Sequence, residues 1–367
     1  MFLTPKHLAI TLLAALTTLP AHAAGVTVYG RVDTGLIYQN FFGDSTKKDN
    51  LTMGSGPNTA SRWGIQGKEV ITPDWIVGFR LEGRFASDTG ELKGDRLFEG
   101  SSFINVINQH LGEVAVGRIA GLASASGPYD HQFYMDALAG GTYGTALAPI
   151  KSSRMDNMIT YRTPMMAGWQ VTLQHSLKLS ATDIKDLGEE GEASANRFWA
   201  AGARYQVGGL NVVATYEGTT WGHDSLTGAD HNRQVFSLGG NYRTGDVAFY
   251  LQGQLFKGVE KLDGMSANDL KSQLSGYGLY AGTQVWFGLS SWQTMVYWRD
   301  YKLKNSTTRV DTDASSLGIG TKYLYRPSKT IELYVGAGLA QWDRLGTNGE
   351  VLTDKTFNAF TGVTKYF

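Results

Sequence analysis

Trp75-Ile76-Val77-Gly78-Phe79-Arg80-Leu81-Glu82-Gly83-Arg84-Phe85 is the stretch that decides the architecture. In an extended chain Trp75, Val77, Phe79, Leu81, Gly83 and Phe85 share one face, and Ile76, Gly78, Arg80, Glu82 and Arg84 share the other. A face this long and this aromatic suits hydrocarbon, while the charges opposite suit water. Three further segments repeat the pattern. Val26, Val28, Val32, Leu36 and Tyr38 oppose Thr27, Tyr29, Arg31, Asp33 and Gln39; Trp169, Val171 and Leu173 oppose Gln170, Thr172 and Gln174; Val247, Phe249, Leu251 and Leu255 oppose Ala248, Tyr250, Gln252 and Gln254. Each puts polar side chains where a solid core would want none, so a filled core is disfavoured.

The last alternating run, Thr356 to Phe367, predicts a strand ending on an aromatic residue, and the simplest way to pair such a strand is to close the sheet on the first one. The fold class predicted is all-β: a transmembrane antiparallel β-barrel, the spanning solution of bacterial outer membranes. Period-two segments predict sixteen strands near 26–40, 60–70, 75–86, 97–108, 111–118, 154–162, 167–179, 196–207, 209–220, 232–242, 245–257, 272–285, 289–302, 312–326, 329–343 and 355–367. Their connections alternate between tight turns, such as Thr72-Pro73-Asp74, and long loops at 41–59, 87–96, 119–153, 180–195, 221–231, 258–271, 303–311 and 344–354. That alternation predicts short periplasmic turns, larger external loops and both termini on the periplasmic side.

The beginning of the chain reads as an export leader. Lys6 and His7 start it, Leu8 to Leu19 is apolar, and Ala21-His22-Ala23 is a small-x-small cleavage site. The apolar run is too short for a spanning helix. Residues 1–23 are therefore expected to be a cleaved signal peptide and 24–367 a single barrel domain. Composition agrees: with 0 Cys in 367 residues, neither disulfides nor thiolate chemistry is available. Lys and Arg number 33 against 33 Asp and Glu, a balance that gives no pull toward nucleic acid. Any charge selectivity must be local.

Several segments in order, namely Val26-Thr27-Val28-Tyr29-Gly30-Arg31-Val32-Asp33, Ser61-Arg62-Trp63-Gly64-Ile65-Gln66-Gly67, Arg154-Met155-Asp156-Asn157-Met158-Ile159-Thr160-Tyr161 followed by Thr163-Pro164, and the closing Phe367, carry a resemblance. Together they resemble the general diffusion porins of Gram-negative outer membranes, particularly the beta-proteobacterial and neisserial type. The resemblance implies a homotrimer of sixteen-stranded barrels in outer-membrane lipid, each with its third external loop folded into the pore. It also implies passive passage of small hydrophilic solutes and ions.

The segment between Arg118 and Arg154 is the longest connection, and a loop of that length is rarely idle. It carries Asp130, His131 and Asp136 among Tyr129, Tyr134 and Tyr143, and lacks the Pro-Glu-Phe-type run common in that family. Folded inward, it would bring Asp130 and Asp136 opposite Arg31, Arg62, Arg80, Arg84 and Arg154, whose parity points to the lumen. A basic wall facing loop carboxylates sets up a transverse field that favours polar over apolar solutes. Permanent charge suits Arg to this. The bland reading pairs these arginines with Asp33, Glu82 or Asp156 as wall stabilisers.

Aromatics at strand ends, Trp75, Trp169, Trp199, Trp286, Tyr323, Tyr325 and Tyr366, read as interface belts. Tyr250, Tyr334 and Trp342 have lumen parity and could stack a sugar. No cofactor, metal or enzymatic site is indicated. Gly318-Ile319-Gly320 and Gly336-Ala337-Gly338 lack the third glycine of a phosphate loop, the 7 His are scattered, His131 and His175 read as surface residues, and Ser176 points away from His175. Two other readings stay open: a substrate-selective channel that binds one nutrient class, and an adhesin barrel whose external loops do the work.

Overall fold

The computed structural model describes residues 25–42, 49–124, 126–131, 149–179, 189–222, 231–259, 273–304, 308, 310–345 and 350–367. The expected leader, 1–23, and Asp136 lie outside the described residues. Seventeen strands follow in chain order: β1 (Gly25–Phe42), β2 (Asn50–Ser55), β3 (Arg62–Thr72), β4 (Trp75–Arg84), β5 (Ser101–Asn108), β6 (Gly112–Ala120), β7 (Arg154–Arg162), β8 (Trp169–Ser176), β9 (Arg197–Val207), β10 (Leu210–Thr220), β11 (Arg233–Thr244), β12 (Val247–Val259), β13 (Leu274–Phe287), β14 (Ser290–Lys304), β15 (Asp311–Ser328), β16 (Ile331–Leu345) and β17 (Val351–Tyr366). Consecutive strands other than β2 and β3 pair antiparallel, and β17 returns to β1 from Arg31↔Tyr366 to Phe42↔Lys355. The sheet is closed, and among the described residues every strand but β2, which pairs with β1 alone, has two neighbours.

Seventeen segments make sixteen staves, because β2 and β3 succeed one another along the same neighbour. Residues 34–39 of β1 pair with β2, and residues 25–31 pair with β3. The expected 41–59 loop is therefore shorter than its sequence suggests, and β2 was missed. Leu51 and Met53 do alternate with polar neighbours and are exposed, yet six residues are too few for periodicity to stand out. Between the two segments the chain turns inward at residues 56–61, where Pro57 is buried. The final loop is also shorter than expected, since β16 runs to Leu345 and β17 starts at Val351.

Which way each side chain points follows the alternation read from the sequence. Val26, Val28, Leu36, Phe249, Leu251, Leu255, Trp169 and Leu173 are exposed on the outer wall. Asp33, Thr160, Thr172, Ser176, Thr356 and Thr364 are each 0% exposed on the inner one. This inversion, polar inside and apolar outside, is unstable in water and stable in a bilayer. No helix among the described residues is long and apolar enough to cross a membrane. Two aromatics depart from the belt expectation. Trp286 pairs with buried Ser291 and Tyr366 pairs with Arg31, which puts both on the inner face at the turn rim, and Arg243 stacks over the Trp286 ring at 4.4 Å.

Apolar packing inside the barrel is local. Phe103, Ile119, Met155, Met158 and Phe198 on the wall enclose Leu122 and Tyr129 from the long loop. The loop thus brings its own small core with it.

Candidate functional site

The inner wall of β1, β3 and β4 carries a row of guanidiniums in register. Arg31 pairs with Arg62 across one ladder, and Arg62 pairs with Arg84 across the next. Like charges directly opposite one another on a sheet destabilise it, so this row needs compensation. Part of it comes from Glu82, which takes Arg62 at 3.1 Å and Arg80 at 2.6 Å, while the Tyr29 hydroxyl donates to it at 3.1 Å and the Tyr29 ring lies 5.0 Å under the Arg80 guanidinium. Glu99 adds a contact to Arg84 at 3.5 Å. Among the described residues Arg31 has no carboxylate this close; its Nε donates to the Ala60 carbonyl at 3.1 Å, inside the inward turn.

Arg154 joins the row through the long loop. Its guanidinium donates to Ser126 Oγ at 2.6 Å, and Arg84 reaches the same oxygen at 3.5 Å. The five predicted arginines are thereby gathered on one side of the interior. The expected pairing partners are only partly right: Glu82 serves as read, but Asp33 bonds hydroxyls, and Asp156 takes Arg118 and Arg96, each at 2.6 Å.

Arg118 escaped the sequence reading for a physical reason. Gly117 pairs with Met158 and Ile119 with Met155, so two residues of β7 oppose one of β6. This is a β-bulge, with Gly117 at φ 136 and Asn157 at φ 54. A bulge re-aims side chains, and simple parity fails across it.

The described arms of the loop, residues 121–124, 126–131 and 149–153, lie inside the barrel. Gly121 N–H donates to Ser153 O at 3.1 Å and Ser152 N–H to Ala123 O at 3.2 Å, which zips the two arms together. Tyr129 is 2% exposed; its hydroxyl donates to Glu113 at 2.6 Å and its ring carries Arg162 at 4.8 Å. Burial and the Glu113 carboxylate both push the Tyr129 phenol far above its ordinary value.

Contrary to the surface position its sequence context predicts, His131 is 1% exposed. Its Nδ1 lies 2.9 Å from the Tyr129 carbonyl, which can only accept, so Nδ1 carries the proton and Nε2 is left to accept from Thr172 Oγ1 at 3.4 Å. Burial, with Arg204 and Arg162 nearby, holds the imidazole down to about 4. Asp130 lies beside a guanidinium outside the row. Arg204 on β9 donates to its carbonyl at 2.6 Å, and its carboxylate sits in the field of that guanidinium.

Two of the three lumen aromatics are buried. Tyr334 is 3% and Trp342 2% exposed; Tyr334 bonds Asp33, and Trp342 packs with Tyr280, Met295 and Tyr297, with Tyr250 alongside. Tyr334 and Trp342 therefore lack the open face that a stacked sugar needs, whereas Tyr250 is only half-buried. Among the described residues no cluster of His, Asp and Glu could hold a metal ion.

Residues 9–343 match the Gram-negative porin family. The chain is 29% identical over 254 residues to an outer membrane porin protein of Bordetella pertussis, covering 64% of this chain and 65% of that one. It is 28% identical over 172 residues to outer membrane porin protein 32 of Delftia acidovorans, covering 44% and 46%. These alignments span less than two thirds of either relative. Among solved structures, an anion-selective porin from Comamonas acidovorans superposes with a TM-score of 0.67 at 18% identity, over 94% of this chain and 100% of that one. OmpF of Salmonella typhi, in complex with daunomycin, gives 0.64 at 16% identity over 93% and 97%. At these identities the likeness is one of fold.

Proposed function

The chain belongs to the Gram-negative porin family, and we propose that it forms a water-filled channel for passive diffusion of small hydrophilic solutes and ions, with a preference for anions. In this reading residues 1–23 direct export, the barrel assembles as a trimer in the outer membrane, and the loop arms narrow the lumen. No bond is made or broken.

The observation that carries the preference is the register of Arg31, Arg62 and Arg84, three guanidiniums directly opposite one another across neighbouring strands. Wall stabilisation alone would not build such a row, because like charges in register cost stability. With Arg80 and Arg154 there are five guanidiniums against the carboxylates of Glu82 and Glu99. The excess is positive and fixed, since Arg does not release its proton near neutral pH. A narrow aqueous path along such a wall concentrates anions and repels cations. Asp130 lies in the field of Arg204, a guanidinium outside the row.

Reversal potentials in a salt gradient across a planar bilayer test this. The intact protein should pass chloride more readily than potassium, and Arg62→Ala and Arg84→Ala should each move the permeability ratio toward cations. Cation preference in the intact protein, or unchanged ratios in both variants, overturns the arginine row as the source of selectivity.

A further inference from the structure

The two loop arms leave the wall at β6 and β7, but they are gripped from across the interior by β10, β11 and β12. Ala123 N–H donates to Glu217 Oε1 on β10 at 2.8 Å. On the returning arm, Ile150 N–H donates to Gln254 Oε1 on β12 at 2.7 Å, and Gln254 Nε2 donates back to the Ile150 carbonyl at 3.0 Å. Arg233 on β11 donates to the Lys151 carbonyl at 3.1 Å.

Gln254 therefore behaves toward Ile150 as a backbone peptide would, offering one donor and one acceptor to the same residue. Its orientation is fixed independently. Nε2 also donates to Ser237 Oγ at 2.9 Å, and Ser237 is its register partner on β11. Gln254 and Glu217 are buried, at 5% and 1% exposed, so these bonds are made where water does not compete. A buried backbone N–H or C=O left unpaired is costly, which makes the grip hard to release. An amide suits the Ile150 contact better than a carboxylate, because only the amide meets both the N–H and the C=O.

We infer that Gln254, assisted by Glu217, is the positioning residue that fixes the loop arms across the lumen and so sets the cross-section of the aqueous path. This rests on the channel reading above and adds what holds the narrowing in place. Without the amide the returning arm is free to move, and the open state should become wider and noisier.

Single-channel recording of the intact trimer with Gln254→Ala, and with Gln254→Glu, reads this directly. Both variants should show several-fold larger open-channel current noise and admit larger polyethylene glycols, with the heat-modifiable gel shift of the folded barrel unchanged. The Glu variant keeps an acceptor for Ile150 N–H but sets a carboxylate against its carbonyl, so it should not rescue. The absence of native Cys allows a second arm: the double variant Ile150→Cys, Gln254→Cys should be quiet when oxidised and noisy when reduced. If the single variants do not fold, this redox comparison alone decides. Noise and size cutoff unchanged in folded variants, or insensitive to the cross-link, would overturn the inference. Absence of any current in the unsubstituted protein would instead overturn the channel reading.

Discussion

The hydroxyl of Tyr334 donates a 2.9 Å hydrogen bond to the carboxylate of Asp33, joining residues 301 positions apart. Thr364 donates to the other carboxylate oxygen, and Asn58 N–H reaches the first at 3.4 Å. Strand β1, strands β16 and β17, and the inward turn at 56–61 thus meet on one carboxylate with no exposed surface. Asn58 extends the join, donating to Glu332 at 2.6 Å and accepting from Lys322 at 2.9 Å. This is the seam where the sheet closes, and it is closed by side chains as well as by the ladder.

Asp33→Ala would leave two hydroxyls and a backbone N–H without their acceptor, at about 1–3 kcal/mol for each stranded group. The folded barrel should lose its gel shift at a clearly lower temperature. Tyr334→Phe, which removes one donor, should cost about 1 kcal/mol. Asp33→Asn should be intermediate, because hydroxyls can rotate to accept from the new amide. Equal midpoints for all four proteins would remove the seam from the account.

The His131 imidazole, held from the ordinary 6.5 down to about 4, makes the loop seat acid-labile. Its folded value lies below its unfolded one, so between the two the unfolded chain binds more protons and stability rises with pH. The contribution is fully present above about 6.5 and is lost as pH falls toward 4, a swing of roughly 3 kcal/mol. Protease access to the loop arms should increase over that window. His131→Gln should flatten the profile, and an identical acid dependence in the variant would clear His131 of the role.

Much of this was legible in the sequence because alternation in a barrel wall is nearly uninterrupted. Leu251 is exposed and Gln252 buried as their parity requires, and β7 has the bounds its residues predict. What stayed illegible has local causes. The bulge at Gly117 hid Arg118, the brevity of β2 hid a wall segment, and Trp286 and Tyr366 were read by their place at strand ends rather than by parity. Parity puts Gln254 on the inner face, but the loop contacts of Glu217 and Gln254 are not legible, since their partners lie across the lumen and no spacing along the chain encodes a chord.

Parity itself can be tested in a chain free of native Cys. Tyr250 is half-buried on the inner face, and its neighbour Leu251 is exposed on the outer one. In bilayers, Tyr250→Cys should react with a charged, water-soluble thiol reagent and Leu251→Cys should be spared, with the order reversed for a reagent that partitions into hydrocarbon. Equal rates with the charged reagent would place water on both faces.

The central claim is that the inside of this barrel is a continuous aqueous path. Single-channel conductance of the purified protein as a function of salt concentration reads it most directly. Once the fixed charge of the lumen is screened, current should rise in proportion to bulk salt without saturating. No current, or a conductance that saturates as a binding site fills, would contradict it.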